Sequence, residues 1–182
     1  RVLAAQALIA RGDIDLVIAD DGLQHHALAR DGEICVVDGQ RGFGNGYLLP
    51  AGPLREPLSR LQRCDLVVVN GDGAAPAHPR VLRMQLQAGQ LRSIDGHGSR
   101  DLDSFSGQTV HAVAGIGNPQ RFFATLRAAG LLVVPHAFPD HYALGSSDLH
   151  FGDGAPVLLT EKDAVKLGST AAVNVWQMPV TA

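Results

Sequence analysis

Asp20 and Asp21 stand side by side after a short apolar run, Ile14-Asp15-Leu16-Val17-Ile18-Ala19, and are followed by Gly22-Leu23-Gln24-His25-His26. Two carboxylates ending an apolar strand can hold Mg2+ beside phosphates, as nucleotide hydrolases and kinases do. Open α/β sheets also place their ligands at the carboxyl ends of strands. The same acids could instead cap a turn or helix. His25 and His26 are consecutive and do not chelate one ion by themselves.

A second strand-like run, Leu131–Phe138, ends in Pro139-Asp140-His141-Tyr142. Histidine gains and loses its proton near neutral pH, so His141 suits acid–base work, although a loop histidine also serves as polar surface. Gly115-Ile-Gly-Asn-Pro119 could offer backbone amides to an anion or cap the helix that Pro119 opens. Thr160-Glu-Lys-Asp163 reads as a capping box. It leaves Lys162 on a first helical turn, where the dipole mildly disfavours a cation, and this leaves room for a phosphate contact.

Between these constellations lies 39–57, rich in Gly and Pro yet carrying Phe43, Tyr47, Leu48, Leu49 and Leu54. Disordered tracts lack such side chains, and long loops in compact domains are commonly functional. Arg41 and Arg55 could contact anions from it, or the segment could be an Ω-type loop with solvated arginines. The spacing of Gly42, Gly44 and Gly46 is not that of a dinucleotide fingerprint.

The elements needed to position these residues follow from periodicity and punctuation. Helices are expected over 1–11, 57–63, from Asn118 to Gly130, and from Thr160. Buried strands are expected over 15–21, 33–38, 64–71, 109–116, 131–138, 156–159 and 173–180, the first two as neighbours. Residues 81–94 alternate and turn near Gly89, which predicts a two-stranded antiparallel connector. The domains expected are 1–79, a linker at 80–98, and an α/β domain over 99–182. The chain opens without Met on what reads as mid-helix, so it looks like a piece of something longer.

At 182 residues with a net charge of -3 and no basic tract, the chain gives no reason to expect nucleic acid. No run is long enough to span a bilayer as a helix. Cys35 and Cys64 flank apolar runs, as reduced core cysteines do.

Taken in order, Asp20-Asp-Gly-Leu-Gln-His25, Asp38-x-x-Arg-Gly-Phe-Gly-Asn-Gly46, Leu49-Pro-x-Gly-Pro-Leu-Arg-Glu-Pro57, Gly115-Ile-Gly-Asn-Pro119, Phe138-x-Asp-His-Tyr142 and Leu159-Thr-Glu-Lys-Asp-Ala164 resemble the tetraacyldisaccharide 4'-kinase (lipid A 4'-kinase) family. The resemblance implies an α/β fold: part of a P-loop-type nucleoside triphosphate hydrolase sheet, a two-stranded β linker and a smaller C-terminal α/β domain. It implies ATP and Mg2+ as cofactors and a lipid-linked disaccharide 1-phosphate, phosphorylated on its 4' hydroxyl, as substrate. The setting it implies is the cytoplasmic face of the bacterial inner membrane.

By the same resemblance Asp20 and Asp21 organise the metal and His141 is the base on the acceptor hydroxyl. Gln24, His25, Arg41, Asn45 and Arg55 become substrate-side residues. No Gly-x-x-x-x-Gly-Lys-[Ser/Thr] run occurs among these residues. The resemblance therefore places the phosphate-binding loop, the membrane anchor and the histidine's aspartate partner upstream of Arg1, and the chain alone is expected to be inactive. Two rival readings are a metal-dependent phosphohydrolase using the Asp and His strand ends, and a non-catalytic α/β binding module.

Overall fold

The computed structural model describes residues 1–140, 142–167 and 174–182. The chain divides into two compact units, Arg1–Gln85 and Leu86–Ala182.

In the first unit, α1 (Val2–Ile9) buries none of its residues. The sheet is three-stranded and parallel, with β1 (Ile34–Asp38), β2 (Leu66–Asn70) and β3 (Val81–Met84) in sequence order. Asp38, Asn70 and Met84 lie at matching register, so the carboxyl ends of all three strands share one edge. Val37, Val67 and Val69 form the small core, covered by Phe43 from the long loop and Leu61 from the 3-10 turns at Leu58–Arg63.

The opposite face is open. Ile34 and Val36 of β1 are 57% and 60% exposed. The strand expected over 15–21 does not form: the segment joins no ladder, and Leu16 and Ile18 are 73% and 85% exposed. An apolar run becomes a parallel strand when layers bury both of its faces, and nothing in this unit supplies the second layer. The expected pairing of 15–21 with 33–38 is corrected accordingly.

The second unit is built on a six-stranded sheet. Its strands are β5 (Leu91–Ser93), β6 (Ser99–Arg100), β7 (Thr109–Ala114), β8 (Leu132–Ala137), β9 (Val157–Thr160) and β10 (Val175–Met178). They lie in the order β6-β5-β10-β9-β7-β8, parallel from β10 to β8 and antiparallel at β5 and β6. Here both faces are covered. On one, α2 (Pro119–Ala128) buries Phe122, Phe123 and Leu126 against Val110, Ala112, Leu158 and Phe105. On the other, Val113, Val157, Leu159 and Val175 pack against Leu144, Leu149 and Ala164. That double burial is why Val110, Ala112, Val113 and Ala114 can all be apolar in one strand.

Pro119 opens α2 as expected, and Gly130 closes it with a φ of +84°, a conformation costly for any side chain. Asn118 occupies the cap position without a side-chain cap bond. The residues expected to form an antiparallel connector do form strands, but with other partners. Val81–Met84 runs parallel to β2, the short β4 (Gln87–Ala88) pairs with β11 (Val180–Thr181), and β5 joins the large sheet. Alternation of apolar residues fixes a strand's faces and leaves its neighbour open. Cys35 and Cys64 are free, and burial raises both thiols above their ordinary pKa.

Candidate functional site

The acid turn begins at Asp20 and Asp21. Asp21 sits in the left-handed region at φ +51°, which Asp tolerates better than most residues. Two further turns follow, closed by His25 N to Gly22 O at 2.9 Å and Leu28 N to His25 O at 3.0 Å. Arg30 donates to the carbonyl oxygens of Gly22, Leu23, His25 and Leu28, and so frames the turn from behind. Both acidic side chains are exposed, and neither takes a hydrogen bond or ion pair among the described residues. His25 Nε2 is sealed from solvent with no hydrogen-bond partner among the described residues, a group that ordinarily finds one.

The long loop folds back on itself and carries its substrate-side candidates unequally. Asn45 Nδ2 donates to Ala51 O at 2.9 Å, and its Oδ1 accepts from Tyr47 N at 3.2 Å. A side chain at Gly52 would collide with Asn45 Oδ1 and the Tyr47 carbonyl, which accounts for that glycine. Asn45 thus braces the loop with both ends of its amide. Arg41 is exposed, with its backbone N held by Asp38 Oδ1 at 3.2 Å. Tyr47, Leu48 and Leu49 also face outward.

Arg55 is brought to the acid turn. Its Nη1 donates to Gln24 Oε1 at 3.3 Å, and the next residue, Glu56, receives His26 Nε2 at 3.3 Å. The two motifs most suggestive of chemistry in this unit are therefore adjacent in space.

In the second unit the carboxyl ends of β7, β8 and β9 carry a separate constellation. Asp163 is fully buried. Its carboxylate accepts from Gly115 N at 2.9 Å, Thr160 Oγ1 at 2.7 Å and Lys166 Nζ at 2.7 Å, while Lys166 also donates to Gly115 O. Half of the expected capping box is present: Thr160 Oγ1 accepts from Asp163 N, while the Asp163 carboxylate takes the Thr160 hydroxyl and the Gly115 N–H rather than the Thr160 N–H. Lys162, read as open to a phosphate, lies 3.4 Å from Asp140 Oδ1. His141 itself lies outside the described residues, so no geometry bears on its proposed role.

Two groupings were invisible in the sequence. Arg30 looked like one more charge in a polar connection, and its only signal was its place just after the acid turn. His111, inside an apolar strand, donates from or accepts at both ring nitrogens: His136 Nε2 at 2.9 Å and Asp153 Oδ2 at 2.9 Å, with Phe151 stacked on both rings. A carboxylate can only accept, so His111 Nε2 carries a hydrogen. With both rings neutral, His136 Nε2–H then donates to His111 Nδ1. Burial and the neighbouring His111 lower the pKa of His136.

Among the described residues no three His, Cys, Asp or Glu side chains come together as a metal set. Asp20 and Asp21 nevertheless fit part of one. Mg2+ takes oxygen ligands and is commonly held by one or two carboxylates with the remainder from water and phosphates. Two exposed carboxylates without protein partners have the free lone pairs this requires.

The family model for Tetraacyldisaccharide-1-P 4'-kinase matches residues 1–182. A tetraacyldisaccharide 4'-kinase of Xanthomonas euvesicatoria pv. vesicatoria is 52% identical over 191 residues, covering 100% of this chain and 55% of the relative. One from Hahella chejuensis is 52% identical over 185 residues, covering 100% and 53%. The chain thus spans about half the length of the curated relatives it matches. The crystal structure of LpxK from Aquifex aeolicus, an "apo" form in complex with ATP, superimposes with a TM-score of 0.68 at 29% identity, over 95% of this chain and 55% of that one.

Proposed function

This chain belongs to the tetraacyldisaccharide-1-P 4'-kinase family, and we propose that it is the metal-side and acceptor-side part of a lipid A 4'-kinase. The whole enzyme transfers the γ-phosphoryl group of ATP to the 4' hydroxyl of a tetraacyldisaccharide 1-phosphate. The observation that carries this reading is the contact of Gln24 with Arg55, which joins the acid turn to the Leu54-Arg55-Glu56-Pro57 segment.

Each residue then has a part that its chemistry allows. Arg55 presents a planar cationic fork, suited to the substrate's phosphate, and Arg41 adds a second exposed cation on the same loop. His25, next in sequence to Gln24, is a further substrate-side residue by the family pattern. Asp20 and Asp21 hold Mg2+, which when bound neutralises charge on the phosphates. His141 accepts the proton as the 4' oxygen bonds to phosphorus and the bond between phosphorus and the ADP oxygen breaks. Exposed Tyr47, Leu48 and Leu49 meet the acyl region of the substrate at the cytoplasmic face of the inner membrane.

In this reading the amides and lysine that cradle ATP come from the part of the relatives' length that this chain does not span. The test is phosphate transfer from labelled ATP to tetraacyldisaccharide 1-phosphate. A protein of the relatives' full length carrying this chain should label the lipid, and the 182-residue chain alone should not. Labelling by the short chain, or none by the long one, overturns the proposal.

A further inference from the structure

We propose that Arg30 is a positioning residue for phosphotransfer, setting the geometry of the metal-binding acids and of the acceptor-side arginine together. The inference rests on the reading of Asp20 and Asp21 as metal ligands. Arg30 Nη1 donates to Gly22 O at 2.9 Å and Leu23 O at 3.1 Å, Nη2 to His25 O at 2.8 Å, and Nε to Leu28 O at 3.2 Å. One planar guanidinium thus satisfies four carbonyls of a single irregular segment. That segment has no ladder or helix to hold it, and its first residue follows the left-handed Asp21 directly. Its shape, and so the direction of both carboxylates, depends on this side chain.

The same guanidinium leads on to the acceptor side. Arg30 Nη1 lies 3.2 Å from Glu33 Oε1, and Glu33 takes Arg60 Nη2 at 2.7 Å. Arg60 Nε lies 3.8 Å from Glu56 Oε1, which also meets His26. Glu56 is the neighbour of Arg55. Arg30, Glu33 and Arg60 are each only 15–21% exposed, so the pairs are better shielded from solvent than ordinary surface pairs. Lysine cannot replace this arrangement, because an ammonium is a point donor and cannot span four separated carbonyls.

The experiment uses the full-length kinase and Arg30→Lys, which keeps the charge opposite Glu33. Mn2+ binding is measured without turnover by the paramagnetic resonance of free Mn2+, and kcat is measured against Mg2+ concentration. Supporting groups behind metal ligands are worth about 10-fold or more in affinity. R30K should weaken Mn2+ by about that factor and raise the half-saturating Mg2+ in parallel. A merely structural role would lower the folded fraction and leave the Mn2+ affinity of the folded protein unchanged; that result overturns the inference. Asp21→Asn separates the two levels. If D21N loses Mn2+ and R30K does not, only the role of Arg30 fails. If D21N binds as the parent does, the acid-turn reading fails and this inference with it. Should R30K not fold, Glu33→Gln, which loosens the guanidinium without emptying its place, is read by the same two measurements.

Discussion

Arg55 Nη1 donates to Gln24 Oε1 across 3.3 Å, a contact between residues 31 positions apart that joins the acid turn to the Leu-Arg-Glu-Pro segment. Both ends are exposed, so the contact itself adds little stability. Its value is orientation: Gln24 occupies one N–H of the fork and leaves the rest for an anion. In the full-length enzyme Arg55→Ala should raise KM for the disaccharide 1-phosphate about 10- to 100-fold, the worth of one hydrogen-bonded charge, with KM for ATP unchanged. Steady-state kinetics with each substrate varied in turn checks this. An equal rise for both substrates would take Arg55 off the acceptor.

Asp21 combines a left-handed backbone with a free carboxylate, and two substitutions separate these properties. Asn tolerates φ near +51° and lacks the charge, whereas Ala lacks the charge and strains the turn. Asp21→Asn should keep the parent's unfolding midpoint while lowering kcat at fixed Mg2+. Asp21→Ala should lose kcat similarly and also about 1 kcal/mol of stability. Urea titration beside turnover decides it, and full activity in D21N would remove the acid from the site.

The strands of the second unit were legible because their own faces are covered by their own chain. Val110, Ala112 and Leu158 meet α2, whose ends Pro119 and Gly130 announce. The 15–21 segment has an apolar middle, Leu16 to Ala19, but no covering layer, and it stays out of any ladder. Local pattern specifies that a run can be a strand; burial by a neighbour decides that it is one. Among the candidate site residues, Arg55 meets Gln24 of the acid turn, Asn45 braces its own loop and Lys162 meets Asp140. Arg30 and the pairing of His111 with His136 and Asp153 depend on chain reversals that no spacing encodes.

Asp163 is fully buried and joins the ends of β7 and β9 through Gly115, Thr160 and Lys166. Lys166→Met removes the only cation that meets this carboxylate among the described residues and should cost about 3 kcal/mol, the order measured when one partner of a buried pair is lost. Thr160→Val removes the cap and one hydrogen bond and should cost about 1 kcal/mol. Trp176, the sole tryptophan, packs edge-on against Phe105 in this unit, so its fluorescence during urea unfolding reports the loss directly. Equal, small effects of both substitutions would show that Asp163 is held by its backbone and hydroxyl donors alone.

His136 and Asp153 make the second unit sensitive to acid. Burial, then the neighbouring His111, lowers His136 below its ordinary 6.5. The Ala155 backbone N–H, then His111, lowers Asp153 below 3.8. In both cases the unfolded chain binds the proton more readily than the folded one. Their contributions are therefore complete above the unfolded pKa and are lost as pH falls through the folded value. Stability should decline first below about pH 6.5, from His136, and again below about pH 4, from Asp153. His136→Phe keeps a ring against Phe151 and removes the titrating group. Urea midpoints followed by Trp176 fluorescence should fall between about pH 7 and pH 5 in the parent and fall less in H136F. Identical slopes in the two proteins would assign the acid sensitivity to other groups.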